Sequence, residues 1–257
     1  MSELRVDHEG PLAIVTLTRA AKLNALTFAI LDGLAAAADA IEADDGCRVV
    51  LLTGEGSKAF CAGADIAEWG ALGPLEFGRR WIVPGHRVFD RWARLRQPVI
   101  ALLNGIAFGG GLELALCADI RIAAEGARLG LPEVTIAALP GWGGTQRLPR
   151  LIGPGRAKQM ILTGQPIDAA RAEAWGLVSE VVAADALAGR ARELAAQIAA
   201  NAPLAVQASK RLLDAAVPIT PGATLETQAG ALCGGAEDAS EGRASFLERR
   251  PPRYQGR

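Results

Sequence analysis

PVIALLNGIAFGGGLELALCADIRIA, residues 98–123, is the stretch on which the fold turns. Residues 98–103 form an unbroken apolar run, the pattern of a strand covered on both faces. Asn104-Gly105 turns the chain. Gly109-Gly110-Gly111 then opens a helical run over 112–117, and 119–123 reads as a further strand. Strands joined through a turn and a helix imply α/β packing with crossover connections.

The same unit recurs on either side. RVVLLT, residues 48–53, is a buried strand closed by Gly54-Glu55-Gly56, and a short helix runs from Asp65 to about Trp69. Upstream, 4–6 and 13–18 flank Glu9-Gly10-Pro11 as a hairpin, and Thr27 caps a helix over 28–43. An amphipathic stretch spans 76–95, where Pro84 and Gly85 predict a kink or break. Short helices are expected over 132–138, 145–151, 157–162 and 169–174, then a last strand over 177–182. Beyond Ala184 the pattern is helical only, over 186–200, 203–216, 224–233 and 237–249. With no low-complexity linker or sequence repeat, the chain reads as two lobes of one continuous fold.

Composition removes several chemistries. The chain has 257 residues, near the upper limit of a single domain, and half of them are apolar. A net charge of −1 gives no pull toward nucleic acid or an anionic membrane. Two histidines, His8 and His86, exclude a His-rich metal site, and no HExxH or Gly-x-Ser-x-Gly occurs. Acid–base work therefore falls to carboxylates or to the backbone. Cys47, Cys61, Cys117 and Cys233 form no CxxC pair and read as buried free thiols of a reducing compartment. No apolar run reaches the length of a membrane span, and the N-terminus lacks a leader pattern, so a cytoplasmic protein is expected. Fifty-one alanines and 30 glycines against 12 aromatics point to closely packed backbone and to sites built from backbone groups.

Two glycine-bearing junctions meet that description. Ala62-Gly63-Ala64-Asp65 joins an extended segment to a helix, and Gly109-Gly110-Gly111-Leu112-Glu113 joins a strand to a helix. The first N–H groups of a helix lack internal partners, and two from separate loops that converge on one carbonyl oxygen make an oxyanion hole. Each junction also reads as ordinary turn chemistry, and neither spells a nucleotide fingerprint. Glu113 lies among leucines, and Glu133 follows Pro132 at a helix start. Both fit a first-turn role toward the helix dipole. A carboxylate among leucines, however, costs free energy unless paired or functional, and two facing one water would shift each other's pKa.

At these residues the chain resembles the crotonase, or enoyl-CoA hydratase/isomerase, superfamily. The likeness is an ordered series: KLNAL at 22–26, KAFCAGADIAE at 58–68, the quoted stretch at 98–123, GLPEVTIAALPGWGGTQRLPRLIG at 130–153, TGQPIDAARAEAWGLVSEVV at 163–182, NAPLAVQASKRLL at 201–213 and EDASEGRASFLERRPPRY at 237–254. The resemblance implies a spiral of ββα units over residues 1–195, holding the CoA and catalytic site. It implies a helical trimerisation region over 196–257 and a homo-hexamer built as a dimer of trimers. The oxyanion hole falls on the N–H groups of Ala64 and Gly110. The hydratase glutamates map onto Glu113, which helps activate water for attack at Cβ, and Glu133, which exchanges the proton at Cα. Gly141 lies where backbone approaches that water. Lys22, Ala25 and Ala62 lie in segments lining the CoA groove, and Phe246 and Arg249 match a stretch that reaches a neighbour's CoA.

The expected reaction is therefore addition of water to a trans-2-enoyl-CoA, giving a 3-hydroxyacyl-CoA, as in fatty acid β-oxidation. Coenzyme A belongs to the substrate and no separate cofactor, metal, nucleic acid or membrane is implied. The alternatives are another crotonase reaction, such as isomerisation or dehydration of a specialised hydroxyacyl-CoA, and a non-catalytic acyl-CoA binder. Trp142 departs from the small residue that typical short-chain hydratases carry there. It reads either as packing, with Trp69 and Trp81, or as a residue that reshapes the acyl site.

Overall fold

The hairpin forms as its turn residues dictate: β1 (Leu4–Glu9) pairs antiparallel with β2 (Leu12–Leu17) across Gly10-Pro11. The computed structural model describes residues 3–215 and 219–257. Helix α1 (Phe28–Ala43) begins where the Thr27 side chain accepts the Ile30 N–H, and it buries Ile30, Leu31, Leu34, Ala38 and Ile41 along one face.

Three turns of a spiral follow, each placing one strand in a large sheet and the next in a small one. They are β3 (Val49–Gly54) with β4 (Ala59–Cys61), β5 (Val99–Leu103) with β6 (Ile106–Phe108), and β7 (Ile120–Ala124) with β8 (Arg128–Gly130). β9 (Ile167–Asp168) and β10 (Glu180–Val182) complete the sheets. The six-stranded sheet has the order β1-β2-β3-β5-β7-β10 and the four-stranded sheet β4-β6-β8-β9. All pairings are parallel except β1–β2 and β8–β9. The two- and three-residue strands of the small sheet carry too few residues for any periodicity, so the residue pattern alone does not reveal them.

Helices bridge the strands. α2 (Ile66–Trp69) and α3 (Pro74–Glu76) lead into a π-helical segment, Phe77–Ile82, which continues directly as α4 (Val83–Ala93). Of the kink or break expected there, the structure shows no break. The Val83 N–H donates to the Gly78 carbonyl, five residues back, and this π register just before Pro84, which has no N–H to give, carries the helix past the proline. α5 (Gly110–Ala115) follows β6. After β8 come a 3₁₀ turn (Glu133–Ile136), α6 (Gly144–Ile152) and α7 (Pro154–Thr163), and α8 (Ala169–Ala174) links β9 to β10.

The central strands β2, β3, β5 and β7 of the large sheet are largely buried, which explains their apolar runs, whereas the edge strand β1 is exposed beyond Leu4. Val50, Leu52, Ala101 and Leu103 face the main core with α1, α4 and α5, whereas Val49, Leu51, Ile100 and Leu102 face α9 (Leu187–Ala199). α10 (Pro203–Ala215), α11 (Ile219–Gly235) and α12 (Glu237–Glu248) complete the chain. Ala216, the expected last residue of the 203–216 helix, lies outside the described residues. The buried Lys210 ties α10 to the core, donating to the Asp119 carboxylate at 2.7 Å and the Gln97 carbonyl at 3.1 Å.

Candidate active site

The segment 62–65 is stitched to 23–26. Ala62 N–H donates to the Leu23 carbonyl at 2.9 Å, Leu26 N–H to Gly63 at 2.8 Å, and Asp65 N–H to Leu26 at 2.8 Å. Arg19 locks the pair, reaching the Asp65 carboxylate at 2.6 Å and the Ala25 carbonyl at 3.2 Å. The Arg19 hydrogen bond holds the Asp65 carboxyl below the usual carboxylate range. This pattern leaves the Ala64 N–H without a protein acceptor among the described residues. Gly110 opens α5, where helical N–H groups have no internal acceptor. The two segments touch: a Cβ placed on Gly63 would lie 3.7 Å from the Gly110 nitrogen.

Glu113 is one turn into α5 and only 2% exposed. Its Oε1 accepts the Trp142 N–H at 2.8 Å and the Gly144 N–H at 2.7 Å. Burial pushes its carboxyl up, while these N–H groups and the Arg147 guanidinium oppose the rise. Glu133 begins the 3₁₀ turn after β8, and its Oε2 is buried with no hydrogen-bond partner among the described residues. Burial, then its own backbone N–H in the opposite sense and the charge of Glu113, leave the Glu133 carboxyl pushed up to about 7. The pair is thus one buried carboxyl held by two backbone donors beside another raised to about 7, two unlike carboxyls able to take part in proton transfer.

Both glutamates line one cavity of about 180 Å³ together with Ala62, Ala64, Gly110, Gly141 and Trp142. Its walls are largely apolar: Ile66, Trp69, Phe77, Trp81, Ile136 and Leu139. Trp142 is 2% exposed, with ring centroids 5.1 Å from Trp81 and 4.9 Å from Phe89. It therefore joins the core and the cavity wall at once.

The other expected residues lie elsewhere. Lys22 is exposed and Ala25 partly buried on the strip stitched to Ala62, outside the cavity lining. Phe246, 83% exposed on α12, lines a separate cavity with Tyr254, and Arg249 ends that helix in a left-handed conformation. The sequence reading missed the loop 141–144 as the holder of Glu113, and Arg147 and Asp90 behind it. The glycines of Gly141-Trp142-Gly143-Gly144 were the available signal, since small residues leave N–H groups accessible.

A family model described as enoyl-CoA hydratase/isomerase matches residues 7–257. A short-chain-enoyl-CoA hydratase of Clostridium acetobutylicum is 42% identical over 252 residues, covering 97% of this chain and 96% of that protein. A crotonyl-CoA hydratase of Syntrophomonas wolfei is 39% identical over 251 residues, covering 97% and 96%. The crystal structure of an enoyl-CoA hydratase from Bacillus anthracis superposes with a TM-score of 0.96 at 42% identity, covering 99% of this chain and 100% of that one.

Proposed function

The chain belongs to the enoyl-CoA hydratase/isomerase family, and from that premise we propose that it adds water to a trans-2-enoyl-CoA to give a 3-hydroxyacyl-CoA. The observation that carries the chemistry is the pair of buried glutamates in one cavity, one held by two backbone N–H groups and the other with an unpartnered oxygen. Glu113 takes a proton from water as its oxygen bonds to Cβ. The double-bond electrons move to the thioester oxygen, where the Ala64 and Gly110 N–H groups stabilise the enolate. The enolate collapses as Glu133, protonated, delivers its proton to Cα. One water is consumed, and the proton gained by Glu113 returns to Glu133 through solvent. No separate cofactor enters this scheme.

The aromatic wall of Trp69, Phe77, Trp81 and Trp142 around a cavity of about 180 Å³ supports a short acyl group. Lys22, Ala25 and Ala62 border the path of the CoA moiety, with Phe246 and Arg249 serving a neighbouring subunit. The assembly is a hexamer. Its support is the exposed apolar surface on the C-terminal helices, where Leu213, Leu232, Phe246 and Leu247 are each at least 71% exposed. Residues 196–257 form the trimerisation region in this reading. A cytoplasmic place in fatty acid β-oxidation belongs to the same proposal, supported by the free thiols Cys47, Cys61, Cys117 and Cys233.

The test is a panel of 2-enoyl-CoA thioesters of rising chain length, read by loss of the conjugated-thioester absorbance, with D2O incorporation at Cα in parallel. Crotonyl-CoA is expected to be hydrated and rates to fall along the series. Failure to hydrate any member, with no exchange at Cα, removes the reading. Migration of the double bond in a 3-enoyl thioester without hydration assigns the isomerase reaction instead.

A further inference from the structure

The loop that supplies both hydrogen bonds to Glu113 is itself held from behind. Arg147, on α6, folds back so that its Nη1 donates to the Trp142 carbonyl at 2.8 Å and its Nη2 to the Asp90 carboxylate on α4 at 2.5 Å. That carbonyl lies in the chain between the two donating N–H groups, Trp142 and Gly144. The Arg147 side chain is 16% exposed and that of Asp90 49%, so the pair runs from the interior toward the surface. Gly143 makes the space. Its φ is +103°, and a Cβ there would lie 2.1 Å from Arg147 Nη1.

We infer that Arg147, anchored by Asp90, is a positioning residue for Glu113: it holds the Trp142 and Gly144 N–H groups at the Glu113 carboxylate and sets a fixed positive charge behind it. The kinetic part of this inference rests on the reading of Glu113 as the base. The charged and titratable groups facing Glu113 come from four places: Arg147 on α6, Glu133 on the 3₁₀ turn, Cys117 just beyond the end of α5, and Asp90 on α4 beyond Arg147. Arg147 is the cation of this set and favours the ionised form of Glu113. A bidentate guanidinium serves both partners at once, which a single ammonium does not.

The experiment uses the full-length protein with Arg147→Gln, Arg147→Lys and Asp90→Asn, each checked for folding by thermal melt. Two readouts are independent of one another: the titration of Glu113 in carboxyl-¹³C-glutamate-labelled protein, assigned by Glu113→Gln, and steady-state hydration of crotonyl-CoA against pH. In Arg147→Gln the Glu113 titration moves to higher pH, and the acid limb of the kcat profile moves with it. kcat falls about 10–100-fold while KM stays near that of the parent. Arg147→Lys keeps the charge but breaks the bridge, so the Glu113 titration moves less than in Arg147→Gln while kcat still falls. Asp90→Asn lowers kcat with KM retained. An unmoved Glu113 titration in folded Arg147→Gln overturns the inference. So does parent-like kcat in both Arg147→Lys and Asp90→Asn, the arms that decide should Arg147→Gln not fold. A parent enzyme that hydrates nothing while the titration still responds to Arg147→Gln supports the positioning role and removes the proposed reaction.

Discussion

Glu113 and Glu133 are the same residue type in one cavity, and their surroundings separate their roles. Glu113 is fixed by two N–H groups on one oxygen, whereas Glu133 Oε2 has no donor among the described residues and its carboxyl is pushed up to about 7 by burial. In the proposed scheme replacing either by Gln removes a proton transfer, and kcat for crotonyl-CoA hydration is expected to fall about 10²–10⁴-fold in each variant. In the proposed scheme Glu133 serves Cα in its protonated form, so kcat/KM for hydration is expected to fall as pH rises through about 7. A stability effect has a definite sign. The folded carboxyl titrates near 7 against an ordinary value of 4.5, so the folded state binds the extra proton and stability is lost between those values as pH rises. Glu133→Gln lacks this loss. Denaturant unfolding is expected to show the variant gaining on the parent from pH 4.5 to about 7, by up to about 3 kcal/mol, with a constant difference above. An equal difference at pH 5 and pH 8 would contradict it. Cys61 and Cys117, whose thiols burial pushes up to about 12, are inert packing beside this chemistry.

At the scale of the element, the π-to-α passage is the least expected feature and one of the most consequential. Pro84 and Gly85 read as a kink or break, yet the helix is not broken there and presents Gly85 to the indole of Trp142. A Cβ on Gly85 would lie 2.2 Å from Trp142 Nε1, so glycine in α4 is what admits the ring between helices. Gly85→Ala is expected to lower stability by about 1–3 kcal/mol through overpacking. Trp142→Leu is expected to relieve much of that loss, and the double-mutant cycle to show a coupling of about 1 kcal/mol or more, measured by denaturant unfolding. Additive effects would show that the ring does not depend on Gly85. The long elements were readable for ordinary reasons: α1 has a Thr27 cap and an apolar face, β3 is apolar from Val49 to Leu52, and β5 is apolar throughout. The small sheet was not, since β9 has two residues and β4, β6 and β8 three each. Such strands are held by partners supplied from distant parts of the chain.

For the whole molecule, the spiral brings together groups from 62–64, 109–113, 133 and 141–142, while the C-terminal helices leave large apolar side chains in solvent. Sedimentation at micromolar concentration is expected to give the mass of a hexamer, and Leu232→Glu, which puts a charge on that surface, to shift it to smaller species with the fold retained by circular dichroism. A monomeric parent would remove the assembly from the proposal. The opening stretch at 98–123, read alone, already determined an α/β crossover with a glycine-led helix carrying Glu113, because apolar runs, turn residues and exposed helical N–H groups are local properties. The order of motifs along the chain determined the family and named both glutamates. The tertiary structure decided what those residues experience. It set which oxygen of Glu113 meets which N–H, left Glu133 Oε2 without a donor, seated Trp142 over Gly85, and put Arg147 and Asp90 behind the loop. Burial, hydrogen-bond direction and the field of neighbouring charges arise only when segments far apart in sequence are packed together, and a carboxyl group's acidity follows from that packing.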